Sequence, residues 1–199
     1  MATALSTEVD DHEKRSRTDA LFGRIAARYD AVNAIQSFGL DGWLRRRAAS
    51  RVAGMTVLDV GAGTGALAAA CLRAGATRVV CLDRSWPMLE LAAKKMKRGR
   101  RGAAVLVCGD ADAPPFKEGV FDGVVSAYLM RNLPDVPKAV AALHSVLAPG
   151  GIFAALDLLR PPADVWGWVF GAYLKWVVPV IGGIITGDVR AYRYLARSV

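Results

Sequence analysis

The sequence predicts an α/β fold, a mostly parallel sheet with helices on both faces, and two features carry that prediction. The first is residues 56 to 67, TVLDVGAGTGAL, an apolar run that ends in an acid and then in three glycines spaced one residue apart. Val57, Leu58 and Val60 suit a buried parallel strand, and Gly61, Gly63 and Gly65 let the backbone take positive φ and approach a ligand with no Cβ in the way. A helix starting near Gly65 then aims free N–H groups at an anion such as a carboxylate or a phosphate. The second feature is the alternation that follows. TVLDV, a helix over 65–74, RVVCLD, a helix over 86–98, AVLVCGD, FDGVVSA, a helix over 135–147 and GIFAALDL succeed one another, the last after the turn Pro149, Gly150, Gly151. Strands separated by helices in this way form a parallel sheet, with the ligand at the carboxyl ends of the strands.

The glycine turn by itself is ambiguous, because Gly61, Gly63 and Ala66 also satisfy the GxGxxA form of a dinucleotide fingerprint. Asp59 lies two residues before the first glycine. There its charge would repel a pyrophosphate and attract the ammonium of an amino-acid moiety, which favours S-adenosylmethionine over NAD. Asp83 ends RVVCLD, eighteen residues after Gly65, where a carboxylate accepts hydrogen bonds from ribose hydroxyls of either cofactor. Asp110 follows AVLVCG, and with the backbone of Ala111 it borders the expected place of an adenine ring. Any one of these acids alone could be an exposed strand end; three at successive strand ends make a site.

At 199 residues, 53% hydrophobic and 22% charged, the chain has material for one domain with a single core. Residues 1 to 19 read as a loose polar arm rather than a signal peptide, which places the protein in the cytoplasm. Residues 20 to 199 then form one domain with a helical cap over 20–51, where Leu21, Phe22, Ile25, Ala26 and Tyr29 recur at helical spacing. Cys71, Cys81 and Cys108 have no metal-ligand spacing and His12 and His144 are the only histidines, so no metal site or histidine triad is expected. The net charge of +8 gathers at Arg45 to Arg47 with Arg51 and between Lys94 and Arg101. Both groups read as solvated faces able to attract anionic lipid. Without interleaved aromatics no nucleic-acid partner is expected.

Residues 165 to 186, VWGWVFGAYLKWVVPVIGGIIT, carry one charge, Lys175. The length admits a transmembrane helix. Pro179 breaks it, however, glycines weaken it, and three tryptophans with a tyrosine suit an interface better than a bilayer centre. The stretch reads as an apolar lid over the site that also touches a membrane surface.

From about Phe22 to the end, the chain resembles the UbiE/MenG family of quinone-ring C-methyltransferases. The resemblance is carried by FGRIAARYDAVN, by Arg131 and Asn132 before LPDVPKAV, by APGG and by GDVRAYRYLARS. It implies a Rossmann-like class I methyltransferase fold whose two last strands are missing here, so that five remain. It implies S-adenosylmethionine as cofactor, with Thr64 touching it, Asp83 on its ribose and Asp110 with Ala111 at its adenine. The expected cofactor set is Asp59, Gly61, Gly63, Thr64, Gly65, Asp83, Arg84, Met88, Asp110, Ala111 and Ser126. Arg131, Asn132 and Tyr29 are expected at the substrate. Ala66 stands where the family usually has an acid, which leaves the methionine ammonium more dependent on Asp59. Gln36, Asp41, Ser145, Ala148 and Leu159 also depart from the family signatures.

The implied reaction moves a methyl group to a ring carbon of a reduced polyprenyl quinone, with peripheral attachment at the inner face of the membrane. It requires a phenolic hydroxyl of pKa near 10 to be polarised. Arg131 is expected to stabilise the forming phenolate, and a salt bridge to a carboxylate at the sheet edge is the alternative role for it. Asn132 and Tyr29 orient the ring. Rival readings are a methyltransferase for a soluble small molecule, a catalytically impaired cofactor-binding subunit and an NAD-linked reductase. A homodimer is left open.

Overall fold

The structure, a computed structural model, describes Asp30, Ala34, Ser37, residues 39–99, 103–157 and 164–177, and Val180. Its order is α1 (Asp41–Ala49), β1 (Thr56–Val60), α2 (Ala66–Arg73), β2 (Arg78–Asp83), α3 (Trp86–Gly99), β3 (Ala103–Cys108), β4 (Phe121–Ala127), α4 (Val136–Ser145), β5 (Leu147–Leu156) and α5 (Val165–Ala172). Five parallel strands lie in the order β3-β2-β1-β4-β5. The fold therefore builds outward from β1 in one direction and then, after β3, from β1 in the other. The gap between the carboxyl ends of β1 and β4, where the winding reverses, is the place such sheets reserve for a ligand.

Side chains alternate across each strand, so every strand divides its residues between two apolar layers. Val57, Val79, Cys81 and Val125 join Leu67, Cys71 and Leu89 on the side of α1, α2 and α3. Leu58, Val60, Val80, Leu82 and Val124 join Leu143 and Val146 on the side of α4. Helices thus cover both faces. By the same alternation Asp59 points into the α1–α2 side, among residues that are otherwise apolar. α4 starts where local chemistry dictates: the Asp135 carboxylate accepts the Lys138 backbone N–H, and Pro137 occupies the first turn, where no N–H is needed.

The largest difference from the sequence-based elements is at β5. Pro149, Gly150 and Gly151 do not precede the strand; they lie inside it. Phe121 pairs with Leu147 and Gly123 with Ile152, so a bulge between these pairings absorbs the extra residues. Gly150 takes a φ of +78°, and a Cβ on Gly151 would collide with Leu147 and the backbone of Ala148. The same pairing shortens α4, which stops at Ser145 rather than 147.

The expected cap over 20–51 is described mainly at its end, and residues 1 to 29 lie outside the described residues. Of the lid, α5 and one π-helical turn (Tyr173–Val177) are described, with Trp168 and Trp176 at 76% and 67% exposure. Among the described residues no helix is long and apolar enough to cross a membrane.

Gly123 gives a test of how tightly the layers meet. A Cβ there would fall 2.8 Å from Cγ1 of the fully buried Val52. Gly123→Ala should cost about 2 kcal/mol through overpacking, roughly a 4–8 °C fall in the thermal midpoint. Adding Val52→Ala should cost less than the sum of the two single changes.

Candidate active site

The glycine turn leaves β1 with φ of +64° at Gly61, +54° at Gly63 and +73° at Gly65. These left-handed angles favour glycine, and the space does too: a Cβ on Gly61 would lie 2.8 Å from Leu129, and one on Gly65 2.8 Å from Met96. Gly65 is also the N-cap of α2 and has no side chain to satisfy the first turn. Asp59 takes over part of that task from below, accepting the backbone N–H of Ala68. It is 1% exposed, and its Oδ2 has no hydrogen-bond partner. Burial pushes its carboxyl up to about 7; Arg45 and the Ala68 N–H pull it down, and Asp83 pushes it further up.

Asp83 closes the turn from the next strand. Its Oδ2 accepts the Gly63 N–H at 2.7 Å and its Oδ1 the Ser85 N–H at 2.8 Å. Beside it, Arg84 pairs with Asp110 at 3.1 Å. Ala111 and Met88 are buried at the same end of the sheet, and Asp110 forms an isolated bridge with Ala113. Ser126, opposite Val60, is fully buried with an unpartnered Oγ, on the face of the sheet away from Asp59. Thr64 is held by two partners: its hydroxyl donates to Asp30 at 2.6 Å and accepts from Lys95 at 3.1 Å.

The segment after β4 is pinned from three sides. Tyr128 is the one described non-glycine residue with positive φ, +60°. Its N–H donates to Leu156 O at 2.7 Å and its hydroxyl to Asp41 at 2.9 Å. The guanidinium carbons of Arg45 and Arg131 lie 5.3 and 5.4 Å from its ring centre. Burial, and then Asp41, hold its hydroxyl well above the usual phenol range. Arg45 meets the Asp41 carboxylate with both Nε distances at 2.9 Å. Beyond Tyr128, a 3₁₀ turn (Met130–Asn132) presents Arg131, paired with Asp157 at 3.0 Å, and Asn132, whose Nδ2 donates to Tyr128 O. The Asn132 Oδ1 is buried without a partner. Tyr29 lies outside the described residues.

The family model described as the ubiE/COQ5 methyltransferase family matches residues 9–199. The chain belongs to that family. It is 42% identical over 184 residues to the demethylmenaquinone methyltransferase of Thermus thermophilus, covering 90% of this chain and 83% of that one. It is 33% identical over 194 residues to the ubiquinone/menaquinone biosynthesis C-methyltransferase UbiE of Methylobacterium nodulans, covering 94% and 77%. Among solved structures it is similar to the [4+2]-cyclase SpnF, with a TM-score of 0.58 at 26% identity over 62% of this chain and 47% of that one. It is also similar to a putative methyltransferase of Bacillus halodurans, with a TM-score of 0.54 at 25% identity over 68% and 56%. The match spans less than two thirds of both solved proteins.

As a ubiE/COQ5 methyltransferase the protein uses S-adenosylmethionine, and the site fits it. An unpartnered carboxylate oxygen of Asp59 buried at the end of β1 suits an ammonium and would repel a pyrophosphate. The NAD reading falls with the family. Sequence reasoning misses five residues that build this site: Asp30, Arg45, Lys95, Tyr128 and Asp157. Arg45 reads as part of a solvated basic patch, yet it is 7% exposed while Arg46 and Arg47 stay outside. Its i, i+4 spacing from Asp41 is the available signal.

Asp59 makes a signed prediction. Its folded carboxyl sits near 7 against an ordinary value of 3.8, so the folded state holds the proton more tightly. Stability from this group is complete below about pH 4 and is lost as pH rises through 7. Asp59→Asn should therefore melt higher than the parent at pH 8, and the difference should vanish near pH 4. The same variant should lose S-adenosylhomocysteine affinity at least tenfold by calorimetry at pH 8.

Proposed function

We propose that this protein methylates a ring carbon of a reduced polyprenyl quinone, demethylmenaquinol or a related benzoquinol. The observation that carries this reading is the segment after β4. It carries a charged pair and an amide directly after Leu129, which packs on Gly61 of the glycine turn, in a protein whose relatives include demethylmenaquinone methyltransferases. Bound S-adenosylmethionine supplies an activated methyl group. The protein's own task is to hold the acceptor carbon in line and to make it electron-rich.

In this reading Arg131 takes both roles: it is salt-bridged to Asp157, and the pair together meets the substrate. Its pairing with Asp157 changes the proton chemistry. A lone guanidinium stabilises a phenolate but takes no proton. The Arg131–Asp157 pair offers a donor and a carboxylate 3.0 Å apart, so the phenolic proton passes to Asp157, directly or through a water, as negative charge grows on the oxygen beside Arg131. Carbon–methyl bond formation then leaves one ring proton, which passes to water as aromaticity returns, and Asp157 hands its proton back to the ring oxygen. Asn132, fixed through Nδ2, presents Oδ1 to a substrate hydroxyl. Tyr29 completes the ring-orienting set of this proposal.

Transient contact with a membrane surface belongs to the same reading, since a polyprenyl tail stays in lipid. The exposed Trp168 and Trp176 supply amphipathic rings of the kind that settle at headgroup level.

Incubation with labelled S-adenosylmethionine and a panel of reduced quinones should move label into the extracted lipid. Label that stays aqueous with every quinol would reject the substrate class. Arg131→Ala should reduce turnover about 10²–10³-fold, as loss of one charge-stabilising donor does elsewhere. In flotation with anionic liposomes at low salt, the protein should rise with the vesicles and Trp168→Ala/Trp176→Ala should rise less. A parent protein that stays wholly in the aqueous fraction would defeat the membrane part.

A further inference from the structure

Three distant parts of the sequence meet at Thr64. Its hydroxyl donates to Asp30 Oδ1 at 2.6 Å, and the Lys95 ammonium reaches Asp30 Oδ2 at 2.6 Å and Thr64 Oγ1 at 3.1 Å. Lys95 arrives there on a helix face that also packs the turn: a Cβ on Gly65 would meet Ala92 and Met96, three residues before Lys95 and one after it on α3. Partial burial pushes the Asp30 carboxyl up, but the hydrogen bonds from Lys95 and Thr64 outweigh it and leave the group below the usual carboxylate value. Asp30 is therefore ionised at neutral pH.

We propose that Asp30 and Lys95 are positioning residues of the cofactor site that act by fixing the direction of the Thr64 hydroxyl. A free threonine hydroxyl rotates and can donate or accept. Here its proton is committed to Asp30 and one lone pair to Lys95, so what the hydroxyl has left to offer is an acceptor lone pair. Thr64 then reads a donor on the cofactor, the methionine ammonium or a ribose hydroxyl, and is unable to donate to the carboxylate. This adds to Asp59 a second acceptor for the donor groups of the cofactor, in a protein with Ala66 where the family usually has an acid. The inference rests on S-adenosylmethionine as cofactor and not on the quinol reading.

The decisive measurement is calorimetric binding of S-adenosylhomocysteine by Asp30→Asn, Lys95→Met, Thr64→Val, Thr64→Ser and the double changes, each with its thermal midpoint. Asp30→Asn and Lys95→Met should each weaken binding about tenfold with the midpoint nearly unchanged, because a half-exposed ion pair adds little to stability. Thr64→Ser, which keeps the hydroxyl, should bind close to the parent. In the Thr64→Val background Asp30→Asn should have no further effect, since the two act through one hydroxyl. The proposal is overturned by parent-like affinity in Asp30→Asn and Lys95→Met, by losses that simply add in the Thr64→Val background, or by losses that track a fall in midpoint. No quinol enters this titration, so a failed methylation assay would leave its result standing, and the reverse also holds.

Discussion

A single buried carboxylate shapes this molecule. Asp59 ends the central strand on the side where α1 and α2 pack, inside an otherwise apolar layer, and a charge in such a place is tolerated only with a partner. The cation that acts on it is Arg45, which is itself buried and already engaged by Asp41. Asp41 in turn accepts the Tyr128 hydroxyl, and the Tyr128 ring lies between Arg45 and Arg131, the latter paired with Asp157. Charged groups of both signs, joined through the neutral Tyr128, thus run from the glycine turn to the segment after β4. Removal of one member would leave its neighbours with uncompensated charge, so the network holds the two halves of the site in a fixed relation.

Topology explains why these halves are adjacent at all. β1 and β4 are neighbours, with Val60 opposite Ser126, and their backbones part immediately afterwards, one into the glycine turn and the other into the segment with Tyr128. Leu129 fills the space that a side chain on Gly61 would need, so the segment after β4 rests directly on the glycine turn. Tyr128 adopts a left-handed φ at this divergence, a conformation that costs a non-glycine residue on the order of 1–2 kcal/mol. Its contacts to Leu156, Asp41, Arg45, Arg131 and Asn132 hold it there. The strain falls where the fold must send two parallel strands in different directions and keep their ends in register.

The sequence makes legible what is local. β1 to β4 and the helices between them follow from apolar periodicity and the glycine turn, and their observed bounds lie within a few residues of the expected ones. The start of β5 escapes such reading because Pro149, Gly150 and Gly151 have the composition of a turn, and only pairing with Phe121 and Gly123 makes them a bulge. The site divides in the same way. Asp59, the glycines and Asp83 are readable because strand ends and turns announce themselves, and the structure gathers them. Arg45, Lys95 and Asp30 are not, because a basic residue on a helix looks the same whether its partner is water or a carboxylate 65 residues away. Arg131 shows the limit most clearly, since the sequence leaves a salt bridge open as one of two roles and the structure supplies its partner, Asp157.

On the proposed reading, a carboxylate at position 59, which costs more to bury than an amide, is there for the ammonium it meets. Without a cation close to Oδ2 the group holds its proton up to about pH 7, and the folded state bears the corresponding loss of stability above that pH. A ligand that brings an ammonium to Oδ2 restores the carboxylate to an ordinary acid and removes the loss. Part of the binding free energy is therefore the relief of a defect built into the fold, which is how ligand binding and stability become linked. That relief is available only to a positively charged group. Neutral molecules of the same shape leave the defect in place, and an anion such as a pyrophosphate deepens it. On that reading the discrimination draws on the cost carried by the empty site as well as on the contacts of the filled one.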